Sequence, residues 1–374
     1  MRTEMNGLVQ QINSVKSAAI SEASTVLGSA GVVYVDVEPY FEGHRFCEDG
    51  VREPDSSRDA TFPYYQDDPA FYTAHLENYH VFKVSGCDAV LGYILNSVVQ
   101  RFPWPAEFWA VNSTTRTVTL VTGADATPAQ RSRQVAQTLA AAVEQGTFEI
   151  LRGWRDELYP IYGPGGEFLL EMERSATPLF GVVSYGIHAT CYVEDDSDDD
   201  GRGLRIWVPR RSRTKQTYPG MLDNSVAGGM SSHERPFECL VREASEEASL
   251  PEAVTRANAR AAGCVTYFYV RSSKAGGETD LLQPEVEYIY DVRVGADVVL
   301  QPGDSEVEQF HLLSVDETQA ALARGEFKPN CAVVLIDFFI RHGILTAENE
   351  PDFLEILARI HRRLEFPTAS HATN

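Results

Sequence analysis

The stretch GGMSSHERPFECLVREASEEASL, from Gly228 to Leu250, decides the fold. Two glycines open it, and a helical pattern follows in which Glu243, Glu246 and Glu247 stand together with Arg242 beside them. At about 100° per residue the three glutamates fall within an arc of about 100°. Phe237, Leu240, Val241, Ala244 and Ala248 gather on the other side, where they can bury against a sheet. Like charges packed this closely repel one another unless a cation neutralises them. Hard oxygen donors favour Mg2+ or Mn2+ over zinc. A cation held this way needs an anionic substrate, and a diphosphate is the natural candidate. The bland alternative is a solvated acidic face; the glycines, Arg242 and the register of the carboxylates stand against it.

The same residues resemble the Nudix box: glycine, five residues, glutamate, seven residues, then Arg-Glu-aliphatic-x-Glu-Glu-x-Gly-aliphatic. Gly228, Glu234, Arg242, Glu243, Ala244, Glu246, Glu247 and Leu250 fill their places, and Ser249 stands where the family has glycine. The resemblance implies an α+β fold, a Nudix α/β/α sandwich with a mixed sheet, preceded by a small α+β domain. It also implies that Glu243, Glu246 and Glu247 bind Mg2+ (or Mn2+), and that a glutamate of the box or of a later loop is the base. Glu306, in GDSEVEQF with Glu308, resembles the extra loop ligand of many members. Catalysis is thus expected from Glu247, Glu243 and Arg242, the last orienting Glu246 or Glu234 from behind the metal. Gly228 and Gly229 leave room for phosphate and metal.

Upstream, Arg210, Arg211, Arg213 and Lys215 form the densest basic cluster of an acidic chain. Capture of a terminal phosphate is one reading, and charge balance the other. Lys215 and Gln216, nearest the box, are the better substrate candidates, with Arg210 and Arg211 behind them. His188 and His233 read as ordinary polar or packed residues.

The 374 residues carry a formal charge of −22, which argues against nucleic acid, and no apolar run is long enough to span a membrane. The expected partner is a small-molecule diphosphate; the oligomeric state stays open. Six cysteines without a CxxC pair or a secretory signal suggest a reducing, cytoplasmic setting, with a mitochondrial transit role for the Ser/Ala-rich start less favoured. The acidic run from Glu194 to Asp200 lacks EF-hand spacing and reads as a solvated hairpin tip.

Three segments are expected: a variable extension over 1–58, an α+β domain over 59–178 and the hydrolase domain with terminal helices over 179–374. Short strands at VFKV, AVLGYIL and RTVTLV precede a helix capped by Thr127 and stopped by Gly146. A second helix is expected around Phe148–Tyr159. GIHATCYV and LRIWVPRR read as a hairpin, and CVTYFYV and EVEYIYDVRV as further strands. Helices are expected at Val315–Arg324, through CAVVLIDFFIRHGIL to Gly343, and from Glu350-Pro351 through Leu364. Trp104, Phe108 and Trp109 could cover a flat heterocycle, but core packing is the stronger reading.

RRSRTKQTYPGMLDNSVAGG, LQPEVEYIYD, GEFKPNCAVVLIDFFIRHGIL and AVLGYIL…FPWPAEFW together resemble one eukaryotic Nudix subfamily, labelled thiamine-pyrophosphokinase-related, in which a small domain precedes the hydrolase. That resemblance implies hydrolysis of the diphosphates of oxidised thiamine to monophosphates. Two rivals stand beside this reading: a non-catalytic Nudix-like diphosphate binder, and an isopentenyl-diphosphate isomerase-like enzyme. KQTYPGMLDN resembles the isomerase's approach to its active site, but Ser225-Val226-Ala227 stand where it carries a catalytic cysteine.

Overall fold

The computed structural model describes residues 76–194, 203–215 and 217–370. The expected extension, the acidic run beyond Glu194 and Gln216 lie outside them.

The leading half is built on a four-stranded sheet of order β2-β1-β4-β3, from β1 (Tyr79–Val84), β2 (Gly92–Leu95), β3 (Trp109–Asn112) and β4 (Thr117–Leu120). A short helix, α1 (Asn96–Arg101), ends at the FPWP segment, where proline cannot continue a helix. The long helix α2 (Pro128–Glu144) begins at a full capping box between Thr127 and Gln130. Val135 and Leu139 of α2 share a core with Phe82, Val118, Leu120 and Phe180. Trp109 is buried there, with Trp104 and Phe108 packed at its edge. These aromatics pack in or against the core, as the ordinary preference of aromatics for interiors suggested.

The helix expected at Phe148–Tyr159 does not form. A single 3-10 turn spans Ile150–Gly153, and the chain then enters β5 (Leu158–Tyr162), which pairs antiparallel with β6 (Phe168–Glu173). Gly153 and the positive φ of Asp156 (58°) break the helix, and Leu158-Tyr159-Pro160-Ile161 suits an extended strand.

The second half is a six-stranded mixed sheet: β10 (Ala259–Val270), β11 (Leu282–Arg293), β7 (Ser184–Glu194), β8 (Leu204–Arg211) and β12 (Val307–Ser314), with β9 (Val226–Gly229) also on β7. β7 runs parallel to β11 and changes partner along its other edge. Its first half pairs with β9, and its last residues pair with β8. Ser225 fills the gap at that switch, accepting from Cys191 N–H at 2.8 Å and donating to the Trp207 carbonyl at 2.5 Å.

Successive β7 side chains face opposite layers. Ile187, Ala189 and Cys191 meet Cys239, Leu240 and Ala244 of α3 (Pro236–Ala248), the box helix. On the reverse face Tyr192 meets Leu335 and Phe338 of α6 (Pro329–Arg341). Between these lie α4 (Glu252–Asn258), following the box, and α5 (Val315–Ala323), capped by Ser314 and Glu317. Helices thus cover both faces of a mixed sheet, as the resemblance implied.

The last helix, α7 (Phe353–Ile360), is shorter than expected. His361 leaves it to bridge to Thr266 on the edge of β10, so Leu364 packs onto the main core from an extended segment. Among the described residues no helix is long and apolar enough to cross a membrane.

Candidate active site

The box glutamates line a cavity of about 610 Å³ between the β9–α3 loop, the ends of β10 and β11, and the β5–β6 hairpin. Gly228 makes the entry possible, because a Cβ there would collide with the Glu243 carboxylate. Glu243 is nearly buried, with 12% of its side chain exposed, while Glu246 stands at the mouth with 55% exposed. Glu247 is part-buried, and its Oε2 accepts the Ala227 N–H at 3.1 Å. Burial pushes the Glu247 carboxyl up to about 8, with the Glu243 charge adding to it; burial likewise raises Glu243.

Arg242 is the clamp of this cluster. Its guanidinium donates to both oxygens of Glu234 at 2.9 and 3.1 Å, to Glu243 at 2.8 Å and to Glu246 at 3.1 Å. It therefore meets both expected partners at once, and Glu243 as well. Glu234 in turn accepts the Ser231 N–H, which fixes the loop before the helix. Among the described residues no three His, Cys, Asp or Glu side chains are already gathered as a cation cage. The donors nevertheless suit a hard divalent cation, since they are carboxylate oxygens only, with no sulfur or imidazole among them.

The basic cluster divides. Lys215 lines the cavity and pairs with Glu306, which also has Arg155 NH1 at 3.6 Å. Burial would raise the Glu306 carboxyl, but the Lys215 bond holds it below the usual range. Arg211 is buried and committed to the fold. It pairs with Asp223 at 2.5 Å and donates to the Tyr218 and Thr217 carbonyls, which sets the turn before β9. Arg210 points to the Gly220 carbonyl at 2.8 Å and does not line the cavity. Glu308 is at the surface near Arg213, outside the cavity.

The floor escaped the sequence reading. Tyr267 of β10 donates toward Glu285 and lies 2.8 Å from Glu287, both on β11. His188 Nδ1 donates to Asn224 Oδ1 at 2.7 Å, leaving Nε2 3.7 Å from Glu287. Asn330 reaches Tyr267 Oη at 3.0 Å. Tyr269, Arg271 and Lys328 complete this end. Burial and the neighbouring Glu287 push Glu285 up to about 7, whereas His188 and Tyr267 outweigh burial and hold Glu287 low. One signal was available: Glu285 and Glu287 alternate on the same side of the strand as Ile289.

The leading half also reaches the cavity, through Arg155, Glu157, Tyr159 and Arg174. Nothing in those residues marked them beforehand.

Comparison with known proteins agrees with this architecture. Residues 185–331 match the NUDIX domain, and residues 69–184 match a domain of unknown function, DUF4743. The chain is 44% identical over 222 residues to "Uncharacterized protein YJR142W" of Saccharomyces cerevisiae, covering 58% of this chain and 64% of that protein. It is 34% identical over 238 residues to "Nudix hydrolase 20, chloroplastic" of Arabidopsis thaliana, covering 63% of this chain and 59% of that one. It therefore spans less than two thirds of these relatives' own lengths. Among solved structures, DR0079 from Deinococcus radiodurans superposes with a TM-score of 0.32 at 22% identity, covering 46% of this chain and 91% of that one. From its box residues and the two domain matches, the chain carries a NUDIX domain over residues 185–331, preceded by a DUF4743 domain over residues 69–184.

Proposed function

We propose that this chain is a Mg2+- or Mn2+-dependent pyrophosphohydrolase that converts a small organic diphosphate, of the oxidised thiamine type, to its monophosphate and inorganic phosphate. The observation that carries this reading is one cavity holding both the box carboxylates and cationic side chains at its rim. The residues proposed to hold the cation are Glu243, Glu246 and Glu247, with Glu306 from the facing loop. Bound there, a divalent cation neutralises diphosphate charge and favours an attacking water. Lys215 is proposed to bind the terminal phosphate. Gln216 is retained as a sequence-based candidate for the same role. Arg242 keeps the carboxylates in place. Water attacks phosphorus, the bridging P–O bond breaks, and the water's proton passes to a carboxylate of the box or of the facing loop. The floor of Tyr267, Tyr269, Glu285 and Glu287 offers acceptors and ring faces to an amino-bearing heterocycle, which supports the thiamine-type substrate.

We divide the chain functionally as an extension over 1–58, an accessory domain over 59–178 and the hydrolase domain over 179–374. We place it in the cytoplasm, a reading the free cysteines of the described residues support.

The ion pairs of Arg242 with Glu243 and Glu246 favour one rival, a binder that never recruits a cation. Phosphate release from thiamine diphosphate, its oxidised forms and several nucleotides, with Mg2+ and with EDTA, separates the two. Turnover should need the cation, and Glu247→Gln should lower it by roughly 10³-fold or more while the fold persists. Cation-independent turnover, or a fully active Glu247→Gln, would overturn the reading.

A further inference from the structure

We propose that the DUF4743 domain completes the catalytic site: Arg174 binds the substrate's diphosphate, and Tyr159 sets where Arg174 stands. The inference rests on the hydrolase reading above and gives the leading domain a task.

The β5–β6 hairpin is seated on the loop of the box. Ser232 N–H donates to the Leu158 carbonyl at 2.7 Å, and Ser231 Oγ donates to Glu157 at 3.1 Å. Gly229 has no positive φ, so no turn explains it. A Cβ there would instead collide with the Tyr159 hydroxyl and come within 3.2 Å of Arg174 Cζ. Gly229 is thus the place where a side chain is omitted so that the leading domain can reach the site.

Arg174 lies with Cζ 5.4 Å from the centre of the Tyr159 ring and donates NH1 to Glu157 at 2.9 Å. That is its one side-chain hydrogen bond among the described residues, so Nε and the second amino group have no protein acceptor. The guanidinium is half-buried, lines the cavity and lies on the side of Glu243. A planar guanidinium with two free donor positions suits phosphate oxygens. The mounting is rigid. The buried Glu173 carboxylate accepts the backbone N–H groups of Arg155 at 3.0 Å, Glu157 at 3.2 Å and Ser175 at 3.2 Å, so both flanks of Arg174 are tied to one anchor. By contrast Lys215 and Arg155 already face Glu306, and Arg211 faces Asp223.

A purely structural role would make Arg174 the fastener between hairpin and loop. Calorimetric titration of the full chain with imidodiphosphate in Mg2+, beside steady-state hydrolysis and thermal melts, distinguishes the two. Arg174→Ala should weaken imidodiphosphate binding and lower kcat/KM, each by roughly 10- to 100-fold, the loss of a charge-assisted contact. Arg174→Lys keeps the charge without the fork and should recover part of both. It carries the test if the alanine variant does not fold. Affinity and kcat/KM unchanged in the folded variants, with only the melting temperature lowered, would overturn the proposal while leaving the hydrolase reading standing. A parent chain that neither binds imidodiphosphate nor releases phosphate would sink both.

Discussion

Glu285 and Glu287 share one face of β11 with the Tyr267 hydroxyl between them, and two buried charges at that spacing are costly. Burial and Glu287 raise Glu285 to about 7, so the folded protein keeps a proton that the unfolded chain releases near the ordinary glutamate value. The stability this proton contributes is whole below about pH 4.5 and is lost as pH rises through about 7. Glu287, held low, titrates beneath that window. Glu285→Gln cannot titrate, so between pH 5 and 8 its stability should gain on the parent's by about 1–3 kcal/mol. Denaturant unfolding across that range measures it, and parallel curves would refute the shared proton. The box glutamates were legible because their chemistry lies within one helical turn of sequence, whereas Glu285 and Glu287 meet Tyr267, and Glu287 meets His188, only through strand pairing. Ser225 shows the same limit. Its place marked the absence of an isomerase's cysteine, but its work in bridging the β8–β9 split is visible only in three dimensions.

At the C-terminal end of α3, Ser249 adopts φ 50°, ψ 27°, the left-handed conformation that glycine occupies in the family pattern. The departure from the box is therefore one of strain and leaves the geometry in place. Ser249→Gly should relieve roughly 1 kcal/mol of strain, less what the more flexible unfolded chain takes back. A net gain of about 0.5 kcal/mol is expected, with hydrolysis unchanged; a loss of stability would mean the serine side chain does more than tolerate the turn. A larger effect belongs to α6. Arg341 donates to Asp337 on its own helix at 2.7 Å and grips both oxygens of Asp291 on β11, while His342 approaches Asp291 at 3.1 Å. Arg341→Ala would strand the buried Asp337 and should cost about 1–3 kcal/mol, discounted for partial exposure. Urea titration reads this directly, and a loss below 0.5 kcal/mol (~) would show the clasp to be ornamental. Elements announced by local chemistry, such as α2 with its Thr127–Gln130 cap, could be read in the sequence. The β5 strand could not, because Leu158–Tyr162 is short and its partner β6 lies beyond a glycine turn.

The two domain-sized cores are joined by more than a linker. Tyr79, on β1, belongs to the core of the box helix, and Leu281, just before β11, belongs to the core of the leading sheet. Glu278 fastens the same boundary, its carboxylate accepting the N–H groups of Glu149 at 2.8 Å and Ile150 at 3.0 Å with Arg101 at 3.5 Å. A sequence divided at residue 178 shows none of this, since the Glu278 contacts join residues more than a hundred apart. Exchange of core residues couples the unfolding of the two halves, because neither can open without exposing apolar surface of the other. Calorimetry should therefore show one thermal transition for the described body, with calorimetric and van't Hoff enthalpies in agreement. Glu278→Ala removes the acceptor of two backbone donors and should cost about 1–3 kcal/mol, shifting that single transition down without splitting it. Two resolved transitions in the parent chain would mean that the leading domain is a separable module, and the close seating of Tyr159 on Gly229 would then have to be maintained by the loop alone.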